Sequence, residues 1–294
     1  MEVSKQFTAY LEQQLNAATG RQIRLRHVSA VSGGSINAAF CLHTDDGDYM
    51  MKRNNKSAYP NMFANEAEGL TAIKNTETIA VPQIILLDNF EDDSFLVLEW
   101  IESIQSTPDA SKLLGKQLAA MHRNTADQFG FDTDNYMGSI PQSNRKHDTW
   151  SVFFINERLQ PMVKIACDKN LLNKLDTQNF DELYNKLSGL FDEEPPALIH
   201  GDLWCGNYLI SNRNKPYLID PAVSYGHREF DIAMTTLFGG FSPDFYKAYQ
   251  ESFPLAQGWQ HRVDLWNLYP LLLHLNLFGT GYLSRVKNSL SMYL

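Results

Sequence analysis

The chain carries the octapeptide HGDLWCGN at residues 200–207, followed by the tetrapeptide LIDP at residues 218–221. Asp202 and Asn207 are five residues apart, and Asp220 comes thirteen residues after Asn207, at the end of a short apolar run. Asp, Gly and Asn are also ordinary turn residues, so a single cluster of them would be compatible with a surface turn. The preceding His200 and the strand-ending Asp220 favour a functional site over a plain turn.

The spacing of these residues is typical of a phosphoryl-transfer site. In the kinase catalytic loop, H-R-D-x-x-x-x-N, the same five-residue gap separates a base from a metal ligand. Asp202 is predicted to be the catalytic base, because a carboxylate within hydrogen-bond reach can accept the proton of an attacking hydroxyl. Asn207 and Asp220 are predicted to bind Mg²⁺, because hard oxygen ligands suit a magnesium complex of a triphosphate such as ATP.

A lysine and a glutamate upstream of this loop add a second part of the pattern. Lys52 ends a predicted strand over residues 48–53, and Glu66 lies fourteen residues further on, in a predicted helix over residues 61–74. A strand lysine paired with a helix glutamate can hold the α- and β-phosphates of ATP. Solvated Lys and Glu side chains are common on surfaces, so the prediction of a phosphate-anchoring pair depends on its position upstream of the loop.

Two further segments are predicted to contact the nucleotide. The turn Gly33-Gly34-Ser35 joins two predicted strands, and the backbone N–H groups of such a turn can cradle phosphates. An apolar strand ends near Glu99 and Ile101, where a hinge between lobes would offer backbone groups to an adenine edge. Glycine hairpins and buried strands also occur without ligands, so both predictions rest on the neighbouring motifs.

Composition and charge exclude several classes of protein. The 294 residues are 44% hydrophobic and 20% charged, as in an ordinary globular protein. A formal net charge of −9 disfavours binding to a phosphate backbone, so no nucleic-acid partner is expected. The apolar runs are too short to span a bilayer, so no membrane association is expected either. Three scattered cysteines without a C-x-x-C pair fit reduced thiols, which predicts a cytoplasmic protein.

The order of patterns along the chain predicts two lobes. Residues 1–102 combine one N-terminal helix, short strands with a turn at Asp46-Gly47, and one internal helix, which predicts a nucleotide-binding lobe. Residues 103–294 are dominated by helical periodicity with three short strand-like runs, and they contain the catalytic loop. The predicted fold class is therefore α+β, with a small β-rich N-lobe and a larger, mainly helical C-lobe for catalysis and substrate binding.

Taken together, these residues resemble the fructosamine kinase, or ketosamine-3-kinase, family. The most specific match runs over residues 200–241, where Trp204 is the mark of the family, and it includes DPAV at residues 220–223 and YGHRE at residues 225–229. The resemblance covers nearly the whole chain. It implies a bilobal protein-kinase-like fold and ATP- and Mg²⁺-dependent phosphorylation of a ketosamine at the sugar O-3, a deglycation repair step.

The resemblance also implies substrate-binding residues. Trp204 is expected to be a platform for the sugar, and His274 and Asn276 are expected to hydrogen-bond the open-chain sugar or the amine. A histidine in an apolar helix has a structural role about as often. Many relatives carry a cysteine in the glycine-rich turn where this chain has Ser35, so thiol-based control at that turn is not expected.

Two alternatives remain open at this stage. Aminoglycoside and choline phosphotransferases share part of the pattern, which allows a small-molecule kinase of that type, although Trp204 and the YGHRE segment argue against it. A nucleotide-binding pseudokinase is the second alternative, but the chain retains the candidate lysine, base and metal ligands. The expected partner is a small-molecule ketosamine or a glycated lysine; the preferred ketosamine and the oligomeric state are left open.

Overall fold

The N-terminal lobe is built on one antiparallel sheet. The computed structural model describes residues 4–31 and 36–294, so the predicted phosphate-binding turn Gly33-Gly34-Ser35 lies outside the described residues. The five strands of the sheet follow the order β1-β2-β3-β5-β4. The elements of this lobe are α1 (Lys5–Thr19), β1 (Leu25–Ala30), β2 (Ala38–Thr44), β3 (Gly47–Asn55), α2 (Met62–Asn75), β4 (Ile84–Phe90) and β5 (Asp93–Glu99).

The two helices of this lobe pack against the sheet. Helix α1 buries Phe7, Leu11 and Leu15, spaced four residues apart, in a cluster with sheet residues such as Leu42. Gly20 closes the helix at a φ of +69°. The predicted internal helix is α2, which packs on β4 and β5. The adjoining part of the sheet remains uncovered and forms one wall of a cleft.

The hairpin between β2 and β3 turns one residue earlier than the sequence predicts. Thr44 pairs with Gly47, so the turn consists of Asp45 and Asp46, and Gly47 begins β3. The Thr44 hydroxyl donates to the Gly47 carbonyl at 2.6 Å and accepts from the Asp46 N–H at 3.1 Å. This side chain closes the turn over the two aspartates, a local contact that the Asp-Gly pair alone does not reveal.

The C-terminal lobe is mainly helical around short strand pairs. Its elements are β6 (Ser103–Ile104), α3 (Pro108–Met121), β7 (Asn135–Met137), β8 (Ile140–Gln142), α4 (Trp150–Phe153), a π-helical turn (Phe154–Leu159), α5 (Gln160–Asp168), α6 (Lys174–Lys186), β9 (Ala197–Ile199), β10 (Tyr208–Ser211), β11 (Pro216–Leu218), β12 (Ser224–Gly226), α7 (Glu229–Leu237), α8 (Pro243–Ser252), α9 (Val263–Phe278) and α10 (Leu283–Ser291). Among the described residues, no helix combines the length and apolar character needed to cross a membrane.

The core of this lobe is aromatic and centres on α9. Most of α9 is buried on all sides, as its nearly continuous apolar sequence requires. Trp266 and Tyr269 of α9 pack with Trp150, Phe153 and Phe154 from the segment around the π-helical turn. This cluster supports the short strands that carry the catalytic loop, because β9 and α7 lie directly against it.

The chain crosses from one lobe to the other after β5. Strand β5 ends at Glu99, and β6 already pairs with β10 of the larger lobe. The predicted α+β bilobal architecture is confirmed, and three of the C-lobe strands, β9, β10 and β11, lie where the short apolar runs predict them. The lobe limits of 1–102 and 103–294 stay a prediction.

Candidate active site

A cleft between the two lobes brings most of the predicted residues together. It has a cavity volume of about 720 Å³. Lys52 and Glu66 line its N-lobe wall, and Asp202, Asn207 and Asp220 line its C-lobe wall. The catalytic-loop pattern and the lysine–glutamate pair, which are far apart in the sequence, therefore face the same space.

Lys52 links the two walls of the cleft. Its Nζ atom lies 2.6 Å from Oε1 of Glu66 on α2 and 2.5 Å from Oδ1 of Asp220, which follows β11. Burial lowers the pKa of Lys52, but the neighbouring carboxylates of Asp220 and Glu66 raise it by more, so the side chain is a charged ammonium. Glu66 thus holds a buried cation at the position where a phosphate anchor is predicted.

The catalytic loop is held from beneath by one carboxylate. Asp231, in the first turn of α7, accepts hydrogen bonds from the backbone N–H of His200 at 2.7 Å and of Gly201 at 2.9 Å. His122 contacts the same carboxylate at 3.2 Å. Gly201 has a φ of +81°, and a Cβ atom there would lie 2.1 Å from the carbonyl oxygen of Ala222, so the loop requires glycine at this position.

Asp202 and Asn207 are joined by the side-chain amide of Asn207. The amide nitrogen donates to the Asp202 backbone carbonyl at 2.8 Å and to Oδ2 of Asp202 at 2.9 Å. This arrangement leaves Oδ1 of each side chain available to a ligand. Burial raises the pKa of Asp202 to about 7, opposed by the hydrogen bond from Asn207 and assisted by the charges of Asp220 and Asp231. A carboxylate with such a pKa can accept a proton near neutral pH.

The donor atoms on the C-lobe wall fit a magnesium ion. Asn207 offers an amide oxygen, and Asp220 offers the carboxylate oxygen that does not contact Lys52. Both are the hard oxygen donors that Mg²⁺ prefers. Asp220 has a φ of +54°, a left-handed conformation that is uncommon outside glycine, and its side chain is 44% exposed towards the cleft. The backbone therefore holds this carboxylate open to a ligand at a cost in conformational free energy.

One end of the cleft is apolar and suits a flat heterocycle. Met50 of β3 and Leu98 of β5 line it together with Glu99 and Ile101, the two residues predicted near the adenine edge. The N–H of Glu99 donates to the carbonyl of Gln83 at 2.8 Å, so this donor is already used within the N-lobe. The structure thus places both residues at the cavity, with one backbone group of Glu99 engaged elsewhere.

The other end of the cleft is aromatic. Trp204 and His274 both line it, and the ring of Phe238 lies between them, with its centroid 6.0 Å from Trp204 and 5.0 Å from His274. His274 Nδ1 lies 2.7 Å from the carbonyl oxygen of Pro270 and donates to it, which leaves Nε2 as an acceptor. Burial lowers the pKa of His274, so its imidazole is neutral. A cavity-facing acceptor beside flat aromatic faces suits a hydroxyl-rich ligand.

The structure does not bring Asn276 to the cleft. Two residues after His274 on the same helix, its side chain points about 200° around the helix axis. It is buried on the far side of α9, where its amide donates to the carbonyl of Met162 on α5 at 2.9 Å. The resemblance-based prediction of Asn276 as a substrate ligand overlooked this helical phase, and the residue has a packing position instead.

The sequence analysis also missed residues that line the aromatic end. Phe238 and Phe278 are both partly exposed at the cavity, and Pro270 lines it from within α9. For Phe278 and Pro270 a signal was present, because each lies four residues from His274 and therefore shares its helix face. Phe238 follows the end of α7 and carries no such signal.

Comparison with known proteins identifies the family to which this site belongs. A family model described as fructosamine kinase matches residues 7–294. A probable ketoamine kinase of Synechocystis sp. is 40% identical over 286 residues, which cover 97% of this chain and 96% of that protein. The chloroplastic protein-ribulosamine 3-kinase of Arabidopsis thaliana is 36% identical over 280 residues, or 94% of this chain and 85% of that protein.

Solved structures agree with the sequence comparison. A crystal structure from Thermobifida fusca, assigned as a fructosamine-3-kinase, superposes with a TM-score of 0.86 at 33% identity, over 96% of this chain and 98% of that one. The similarity covers both the sheet lobe and the helical lobe. On these grounds the chain is a member of the fructosamine kinase family.

Proposed function

We propose that this protein is an ATP-dependent kinase that phosphorylates the sugar O-3 of ketosamines, the adducts that glycation forms between a sugar and an amine. The observation that carries the proposal is the cleft itself, where a candidate base, two candidate metal ligands and a buried ion pair face one another in a chain of this family. The relatives named ketoamine kinase and protein-ribulosamine 3-kinase support the substrate class.

In this proposal the N-lobe wall holds the phosphates. Lys52 is charged and buried, and Glu66 fixes its direction, so the ammonium is a positioned point charge for phosphate oxygens. Asn207 and Asp220 would hold Mg²⁺, which neutralises charge on the triphosphate when it is bound. The apolar slot beside Met50 and Leu98 would take the adenine ring.

The C-lobe wall then handles the acceptor hydroxyl. Asp202 would accept the proton of the sugar O-3 as that oxygen attacks the γ-phosphate, and Asn207 holds the Asp202 carboxylate in place. Orientation of the hydroxyl against the phosphate is the main task of such a site, because phosphoryl transfer requires positioning more than covalent chemistry.

The aromatic end of the cleft would bind the rest of the sugar. The indole of Trp204 presents a flat face for sugar C–H groups, and His274 Nε2 can accept a hydrogen bond from a sugar hydroxyl. Trp204 is itself positioned by Gly206, because a Cβ atom at that residue would lie 2.3 Å from the indole ring. We therefore assign Gly206 as a positioning residue for the sugar platform.

The test is an ADP-release assay with ATP, Mg²⁺ and ribulose-lysine. The wild type should turn over, Asp202→Ala should be inactive, and Asp132→Ala, which removes an exposed carboxylate paired with Lys146, should match the wild type. NMR of the product should place the phosphate on O-3. Aminoglycoside and choline acceptors run in parallel. ATP binding in a thermal-shift assay without transfer to any ketosamine would overturn the proposal and favour another acceptor or a pseudokinase.

A further inference from the structure

A second group of ligand-type side chains lies on the N-lobe sheet, outside the set assigned to catalysis. Cys41 and His43 are two residues apart on β2 and therefore project from the same face of the sheet. Strand β3 places Asp48 directly opposite His43. One donor atom from each residue, a sulfur, a ring nitrogen and a carboxylate oxygen, all lie within 4.8 Å of one another.

Two of the distances among these atoms are close to those of a tetrahedral metal site. His43 Nδ1 lies 3.8 Å from Cys41 Sγ and 3.1 Å from Asp48 Oδ1. Sulfur, nitrogen and oxygen ligands bound to one zinc ion at about 2.0–2.3 Å are about 3.3–3.6 Å apart. The two pairs that involve His43 thus lie within a few tenths of an ångström of this spacing, and Cys41 Sγ lies within 4.8 Å of the Asp48 carboxylate. The register of β2 and β3 already holds the three backbones in place.

Neighbouring residues on β1 orient the histidine. The Ser29 hydroxyl lies 2.9 Å from His43 Nε2 and can accept a hydrogen bond from its N–H, which leaves the lone pair of Nδ1 for a cation beside Cys41 and Asp48. The ring of His27 stacks on the ring of His43 with centroids 4.0 Å apart, which restricts its rotation. Hydrogen-bonded support of this kind is typical of histidines that bind metals.

The donor types select the class of cation. A thiolate with an imidazole and a carboxylate suits zinc and similar borderline ions, whereas Mg²⁺ prefers oxygen donors alone. The side chains of His43 and Asp48 are 28% and 37% exposed, so a cation can reach the buried Cys41 from that side. Burial raises the pKa of the Cys41 thiol to about 11, so the bound cation must displace the thiol proton.

We propose that Cys41, His43 and Asp48 bind one zinc-class divalent cation, with the fourth position taken by water. This site is separate from the magnesium ligands of the catalytic loop and does not depend on the proposed function. Cys41 pairs across the sheet with Met50, which lines the cleft, so the cation would fasten β2 to β3 beside the nucleotide end. Binding to the folded state alone raises its stability with cation concentration.

Cobalt titration of the full chain tests the proposal, because a Co²⁺ ion bound by a thiolate gives a charge-transfer absorption band. The titration is run in excess Mg²⁺, and the all-oxygen catalytic ligands cannot produce this band. The wild type should show one equivalent of thiolate-bound cobalt. Cys41→Ser should lose the band, whereas Cys167→Ser and Cys205→Ser, which change the two other free cysteines, should keep it.

Variants of the other two ligands keep the test decisive if Cys41→Ser does not fold. His43→Gln and Asp48→Asn change partly exposed side chains and should each weaken cobalt binding at least tenfold. Zn²⁺ should raise the Tm of the wild type reversibly, with the increase lost in Cys41→Ser and in His43→Gln. Absence of the band in the wild type, its survival in Cys41→Ser, or unchanged affinity in both ligand variants would overturn the proposal and leave a hydrogen-bonded trio only.

Discussion

The two faces of the catalytic loop, residues 200–207, differ in burial and in how fully their polar groups are hydrogen-bonded. On the cleft face, Asp202 and Asn207 retain free oxygen atoms, and the side chain of Asp220 beside them is 44% exposed. On the underside, the side chains of His122 and Asp231 are fully buried, and the carboxylate of Asp231 accepts from two backbone N–H groups. The difference indicates that ligand binding depends on the first face and stability on the second.

The cleft face carries features that cost free energy. Asp202 is a carboxylate whose pKa burial raises to about 7, and Asp220 has a left-handed backbone. Backbone strain and an unfavourably buried carboxylate are retained where function requires them. The underside has no such features among the described residues: its polar groups are paired, and Gly201 supplies the one left-handed φ without a side chain. Substitutions on the two faces should therefore have separable effects.

The largest expected effect is on the cleft face. Asp202→Asn keeps an acceptor for the Asn207 amide but removes the base, so kcat should fall about 10²–10⁴-fold. Since a folded-state pKa raised above its unfolded value makes the charged form of Asp202 unfavourable to folding at neutral pH, the Tm should equal or exceed that of the wild type. Kinetics and a thermal melt on the same sample test both parts; a lower Tm would contradict the proposed separation of the two faces.

The next largest effect is expected where the loop backbone meets the underside. Gly201→Ala places a Cβ atom 2.1 Å from the Ala222 carbonyl and forces a left-handed φ on alanine, so the free energy of unfolding should fall by about 3 kcal/mol. Gly189→Ala is the matched control, because a Cβ atom there meets nothing within 4 Å, and its effect should stay within about 0.5 kcal/mol. Urea unfolding measures both; equal stabilities would show that the loop can move freely.

The sequence predicts those parts of the site that lie close together along the chain. Asp202 and Asn207 form one local motif that their spacing indicates. Lys52 and Glu66 lie on consecutive elements, β3 and α2, and their position upstream of the catalytic loop indicates the pair. The contact between Lys52 and Asp220 joins residues 168 positions apart, and no periodicity indicates it. Pairing at such separations depends on how the lobes meet, which a single sequence does not specify.

Hydrophobic patterns also leave some features of the fold unpredicted. The lobes and most strands follow from hydrophobic patterns, but the π-helical turn Phe154–Leu159 has an apolar pattern that an α-helix would also show. His122 and Asp231 meet across 109 residues at the end of one helix and the start of another. Asp231 has a favourable position for a carboxylate in the first turn of α7, whereas an isolated His122 carries no signal at all.

A smaller effect is expected from the carboxylate that holds the loop. In Asp231→Asn one of the two acceptor oxygens becomes an NH₂ group, so the N–H of His200 or of Gly201 loses its acceptor. Loss of one buried charge-assisted hydrogen bond should lower the free energy of unfolding by about 2 kcal/mol. Asp264→Asn, which changes an acidic residue bonded to the Ser289 hydroxyl, is the control and should cost less in the same urea titration.

The smallest effect is expected furthest from the cleft. Tyr249 contacts His122 Nδ1 at 2.8 Å, so Tyr249→Phe leaves that nitrogen unpaired and should lower the free energy of unfolding by about 1 kcal/mol. Because His122 and Asp231 lie between Tyr249 and the loop, kcat and KM should stay within about twofold of the wild type. Tyr246→Phe serves as the control, because Tyr246 lies on α8 like Tyr249 and its hydroxyl bonds to Thr235 on α7.

The variants Tyr249→Phe and Tyr246→Phe show whether the underside only supports the loop or also changes the position of the catalytic base. If the underside only supports the loop, the two tyrosine variants lose similar stability and keep their activity, because the hydrogen bonds from Asp231 still fix the loop backbone. If kcat falls more than tenfold in Tyr249→Phe but not in Tyr246→Phe, the chain of contacts through His122 changes the position of Asp202 itself. That outcome would contradict the separation of the two faces, since a residue of the underside would then control catalysis without touching the substrate.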